Sequence, residues 1–125
     1  MLRAFVIGCT LSLAVAGTAT AQDAANGEKI FKKCAACHVV NEAKNKVGPS
    51  LHGVFGRTAG TVEGFKYSES MIQHGKDGLV WTAETIDAYI ADPKGYIPKN
   101  KMAFPGIKKP EERADVIAYL EQATQ

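Results

Sequence analysis

Cys34-Ala35-Ala36-Cys37-His38 is the stretch of this sequence with the plainest chemistry. Two thiols at that spacing fall on one side of a helical turn, where both can reach one flat ring. An imidazole directly after the second thiol can turn toward the centre of the same ring. The pattern C-x-x-C-H is the attachment signature of a c-type haem. The cysteines would add to its vinyl groups as thioethers, and the histidine would become an axial iron ligand. Cys-x-x-Cys alone also suits half of a zinc site or a thioredoxin-like redox pair. Zinc would want a second pair of ligands, yet no cysteine follows Cys37, and His52 and His74 are scattered. A redox pair of that kind belongs in βαβ patterning, which is missing here. Only the haem reading needs the trailing histidine.

A haem held by one histidine leaves its other face to be decided. An open face would bind gases or peroxide, whereas a second protein ligand makes an electron carrier. Beyond residue 21 the methionines are Met71 and Met102. Met71 falls on a short amphipathic stretch, where packing is the simpler account. Met102 lies in the irregular run from Tyr96 to Phe104. No helical face explains an apolar residue there, and such a loop can wrap the ring on the side away from His38. The competing class is a haem peroxidase, or a small-molecule or gas-binding haem protein with a displaceable distal methionine. The sequence offers no convincing distal acid or base for it.

The elements that must position these groups fit in one domain, since the chain has 125 residues. A net charge of +2 does not suggest nucleic acid as a partner. Residues 1–21 read as a cleavable export signal, with Arg3, an apolar run from Ala4 to Ala16, and the Ala19-Thr20-Ala21 cleavage pattern. The run is short for a membrane span. The expected product is residues 22–125, exported to the periplasm with no stable membrane insertion. Val6-Ile7-Gly8-Cys9 loosely resembles a lipoprotein box but leaves too little apolar chain before Cys9, and an uncleaved anchor is a second alternative. A disulfide would consume the haem thiols, so none is expected. A domain of this size is marginal for a protein-only core, and a buried ring supplies the missing apolar body.

The expected fold class is all-α. Asp23 can cap a helix running to about Val40, with Ile30, Phe31, Cys34 and Ala35 on one face. Gly27 inside it costs about 1 kcal/mol against alanine, which a closely passing helix would explain. Asn41 to Thr61 is a glycine-rich loop of the kind that wraps something or functions. Tyr67 to His74 forms a short helix with Ser68 near its start, followed by a turn from Gly75 to Gly78. Thr82 caps a helix that Pro93 stops. Pro93 to Lys109 reads as irregular. Pro110, with Glu111 and Glu112 in the first turn, opens the last helix. No strand or repeat is expected, so the sum is three main helices, a short one and long loops.

Taken together, Cys34 to His38, Gly48-Pro49-Ser50-Leu51-His52-Gly53, Phe55-Gly56-Arg57, Trp81, and Tyr96 to Met102 followed by Phe104 and Gly106-Ile107-Lys108-Lys109 resemble soluble class I cytochrome c. The likeness spans residues 22–125 in order and is of the bacterial cytochrome c2 type, similar to mitochondrial cytochrome c. It implies long loops wrapped around one covalent haem c. It implies thioethers from Cys34 and Cys37, with His38 and Met102 as axial iron ligands. By the same resemblance, the Pro49 carbonyl accepts a hydrogen bond from the proximal imidazole. Arg57, Tyr67 and Trp81 meet the haem propionates, and Tyr89 lies near the methionine sulfur. Gly27, Phe31 and Tyr119 form the crossing of the first and last helices. Departures are a longer segment between Tyr67 and Trp81, Met71 in place of an asparagine, Asn100 in place of a threonine, and a shorter loop before Gly48. They bear on hydrogen bonding around the haem, not on the ligands.

The expected function is one-electron transfer without bond breaking, so the protein is expected not to be an enzyme. Lys33, Lys46, Lys94, Lys99, Lys101, Lys108 and Lys109 come from segments that should border the haem edge. They would form a basic docking face for acidic membrane redox complexes. By family analogy these are a cytochrome bc1-type donor and a terminal oxidase or photosynthetic reaction centre as acceptor, met by a monomer. His52 and His74 are expected to be surface histidines.

Overall fold

The computed structural model describes residues 22–125. The expected export signal, with Cys9, lies outside the described residues. The architecture is all-α, with helices α1 (Ala24–Phe31), α2 (Glu69–Lys76), α3 (Ala83–Ala91), α4 (Pro93–Tyr96) and α5 (Pro110–Ala123). Among the described residues the only β pairing is an isolated antiparallel bridge between Thr58 and Val80. None of the described helices is long and apolar enough to cross a membrane.

Side chains of the preceding residues start four of these helices by accepting from orphan backbone N–H groups. Asp23 accepts from Asn26 N at 3.0 Å, and Ser68 from Met71 N at 3.1 Å. Thr82 and Thr85 satisfy each other's backbone donors in a reciprocal box. Asp92 accepts from Gly95 N at 3.1 Å. α5 instead starts with Pro110 in its first turn, followed by Glu111 and Glu112, where a missing N–H costs nothing and negative charge suits the helix dipole.

Besides α2, which runs Glu69–Lys76 rather than Tyr67 to His74 and so takes in Gly75, two places differ from expectation. The first helix ends at Phe31, not near Val40. Lys32, Lys33, Ala35 and Ala36 are exposed, so past Phe31 the coil has no continuous apolar stripe to bury. It tightens into turns in which Cys34 N donates to Phe31 O at 2.7 Å and Cys37 N to Cys34 O at 3.0 Å. The second difference is α4, in a region expected to be irregular. Pro93 does end α3, but its preset φ also makes it a first helical residue, with Asp92 serving as cap.

The two helices at either end of the described chain cross closely. A Cβ on Gly27 would lie 1.9 Å from Asp115 O, so only glycine permits this approach. The rings of Phe31 and Tyr119 meet beside it at 5.4 Å, tilted by 46°. Asp115 clips the crossing by accepting from Asp23 N at 2.9 Å and Asn26 Nδ2 at 2.8 Å. Those bonds, Asn26's first, hold its carboxyl below the usual range. α5 is tied to α3 by Arg113 Nε and Asp87 Oδ1 at 2.7 Å. The core built on this frame contains Val54, Met71, Trp81, Ile86, Ile97, Ile107, Val116 and Leu120.

Candidate functional site

The turns after α1 carry Cys34, Cys37 and His38 to the wall of a cavity of about 300 Å³. Their coil is continued by His38 N donating to Cys34 O at 3.0 Å. Both thiols are free and half-buried. Burial raises the Cys34 thiol above its usual pKa, proximity to Cys37 adds to this, and Lys33 opposes it.

His38 is fixed from behind. Its Nδ1 lies 2.8 Å from Pro49 O. A carbonyl only accepts, so the proton sits on Nδ1 and Nε2 keeps its lone pair. Burial pulls the imidazole pKa down, with the Pro49 bond acting in the other direction. A neutral, basic nitrogen is what a metal ligand requires. Gly48 makes the seat: a Cβ there would lie 2.4 Å from His38 Cε1. Gly48 N donates to Cys37 O at 2.8 Å, so the loop that holds the imidazole is laced to the thiol turn.

Met102 lines the same cavity from the loop after α4. Its backbone N donates to Asn100 Oδ1 at 2.9 Å. The remaining lining is mainly apolar, with Leu51, Ile86 and Phe104 among it, and Val116 and Leu120 of α5. Met71, read as packing, is buried in the core and also reaches the cavity.

The other expected site residues all reach this cavity, each with a specific neighbour. Arg57 donates from Nη1 to Ser50 O at 2.7 Å and from Nη2 to His52 O, and burial draws its guanidinium down. The Tyr67 hydroxyl accepts from Val62 N at 3.1 Å. Burial raises its pKa, against the Val62 bond and the charge of Arg57. Trp81 is buried and its ring lies 5.1 Å from that of Tyr89, which in turn neighbours Tyr96 at 6.3 Å. Burial pushes the Tyr89 hydroxyl up to about 12.

The lysines divide. Lys33 and Lys101 line the cavity. Lys46 Nζ donates to Ala35 O, and Lys101 Nζ to Lys66 O, both at 3.1 Å. Lys99, Lys108 and Lys109 are exposed. Lys94 is exposed as well, and its ammonium donates to Asn100 O. His52 and His74 are half-buried rather than plain surface residues, their Nδ1 atoms 3.3 Å from Val40 O and 2.8 Å from Ser70 O.

The donor set can be tested against what it could hold. Among the described residues no three His, Cys, Asp or Glu side chains gather as a metal-holding group, so Cys34 and Cys37 lack the further ligands of a structural zinc. An apolar enclosure with two free thiols on one wall, a neutral imidazole and a thioether suits a large flat ring that brings its own metal. The class so defined is that of proteins with a thioether-attached haem.

Comparison with known proteins gives the same class by a separate route. A family model described as Cytochrome c matches residues 24–124. Cytochrome c2 of Blastochloris viridis is 47% identical over 122 residues, covering 97% of this chain and 94% of that relative. Cytochrome c of Chlamydomonas reinhardtii is 53% identical over 108 residues, covering 85% and 94%. The structure of ferricytochrome c2 from Rhodopseudomonas palustris superposes with a TM-score of 0.74 at 41% identity, over 82% of this chain and 99% of that one. The chain belongs to the cytochrome c family and is of its c2 type. With that membership come one covalently bound haem c and one-electron transfer in place of enzymatic catalysis.

Proposed function

We propose that this protein is a periplasmic shuttle that carries single electrons between membrane redox complexes, with its haem on Cys34 and Cys37 and its iron between His38 and Met102. The observation that carries the reading is that these four side chains line one cavity, with the His38 imidazole held by the Pro49 carbonyl at 2.8 Å. The bound group supplies a ferric/ferrous couple, which a thioether donor shifts toward the reduced form. The chain does the rest. Cys34 and Cys37 prevent loss of the group in transit. The Pro49 carbonyl keeps one imidazole tautomer and one ring orientation. The apolar wall keeps water out and disfavours extra positive charge, which also favours the reduced state. Arg57, Tyr67 and Trp81 would meet the propionates, and Tyr89 would lie near the Met102 sulfur.

Docking would use Lys33 and Lys101, which line the cavity, together with Lys46, Lys94, Lys99, Lys108 and Lys109. A monomer would be steered by these charges to acidic faces on a cytochrome bc1-type donor and on a terminal oxidase or reaction centre. Export by residues 1–21, cleaved after Ala21, would bring it to them. The test is spectroscopic. The ferric holoprotein should show the long-wavelength methionine charge-transfer band, and Met102→Ala should lose it. The reduced parent should not bind carbon monoxide, whereas Met102→Ala should. Rapid carbon monoxide binding by the parent would overturn the reading in favour of an open distal site.

A further inference from the structure

The loop that carries Met102 is held by one side-chain amide. Asn100 is 4% exposed although it is polar. Its Nδ2 donates to Pro93 O and to Ile97 O, both at 2.8 Å. Its Oδ1 accepts from Met102 N at 2.9 Å. The carboxamide thus uses its donors on the two ends of the α4 turn and its acceptor on the backbone of Met102. Lys94, itself in α4, closes the arrangement by donating to Asn100 O. Just before it, Lys99 takes a left-handed φ of 60°, which reverses the chain and brings Asn100 back beneath α4. A buried amide with every bond directed is informative, because each unmade bond would leave a desolvated polar group.

We propose that Asn100 is the positioning residue for the distal face of the site. It fixes the Met102 backbone to α4, so that the thioether is presented in one arrangement and the loop stays shut against outside ligands. The proposal rests on Met102 being the distal ligand. A merely structural asparagine would alter overall stability. A positioning asparagine alters how often the loop opens, and the apparent affinity of an incoming ligand scales with that open fraction.

The experiment uses the ferric holoprotein with free imidazole as the competing ligand. Asn100→Ala removes the acceptor for Met102 and both donations, and should bind imidazole about tenfold or more tightly than the parent. Its methionine charge-transfer band should disappear on heating before the far-ultraviolet helix signal does. Asn100→Asp keeps an oxygen for the Met102 amide but loses the donations, and should fall between parent and Ala. It carries the test if Asn100→Ala does not fold. Ile117→Val loosens α5, whose Ile117 is buried, without touching the loop, and should leave imidazole affinity within about twofold. An unchanged affinity in both Asn100 variants, or an equal gain in Ile117→Val, would overturn the proposal. Persistence of the band in Met102→Ala would overturn the ligand assignment beneath it instead.

Discussion

Replacing Gly27 with alanine sets two effects of opposite sign against each other. Inside a helix alanine is favoured over glycine by about 1 kcal/mol. Against this, the new Cβ would lie 1.9 Å from Asp115 O, 2.5 Å from Asp115 C and 2.9 Å from Val116 N. All three are backbone atoms of α5, so no side chain can swing aside. Relief requires the helices to part by more than about an ångström, against a core that does not deform continuously. Parting them would disturb the Phe31–Tyr119 contact and the Asp115 clip to Asp23 and Asn26. Overpacking of this kind costs about 3 kcal/mol at the upper end of its usual range. The packing term wins, and the net loss should be about 2 kcal/mol. For a domain of this size that is a fall of roughly 8–16 °C in Tm. Guanidinium titration of the holoprotein, followed by far-ultraviolet circular dichroism, reads the change as a lower midpoint with unchanged slope. A midpoint equal to or above the parent's would refute the reasoning, since propensity would then outweigh the clash.

Lys99 holds φ at 60°, which costs an L-residue about 1–2 kcal/mol. Lys99→Gly should therefore raise stability by about 0.5–1 kcal/mol after the greater freedom of glycine in the unfolded chain is subtracted, and Lys99→Val should lower it; denaturant midpoints decide. The Tyr89 hydroxyl is raised from 10.0 to about 12 by burial. A raised pKa means that its stabilising contribution is complete below pH 10 and is lost as pH climbs toward 12, by up to about 2–3 kcal/mol. Tyr89→Phe should flatten that alkaline decline, and midpoints measured across the window that fall as steeply as the parent's would count against it.

Much of this was legible because short-range chemistry announces itself. Asp23, Ser68 and Thr82 were identifiable as helix starts because capping needs only a side-chain oxygen next to an apolar run. The thiol pair and its histidine were conspicuous because C-x-x-C-H is the attachment signature of a c-type haem, and the fold does bring all three to one cavity wall. Gly27 was legible as an anomaly, and the Asp115 backbone supplies its cause. What escaped was decided by long-range packing or by loops. The end of α1 at Phe31 goes with the exposure of Lys32, Lys33, Ala35 and Ala36 in the folded chain, which no local pattern encodes. Pro93 looked like a stop because its second role depends on Asp92 turning its carboxylate onto Gly95. Asn100 was visible only as a departure from the family pattern, since its bonds to Pro93, Ile97 and Met102 exist only once the loop has closed. The bond from Lys94 to Asn100 O could not be read from its neighbours in sequence either.

The crossing of α1 and α5 also bears on timing. Asn26 must find Asp115, 89 positions downstream, before α1 has its partner. Until that stretch has been made, an eight-residue helix has little to rest on. Sequence order therefore makes this crossing one of the last contacts that the chain can form.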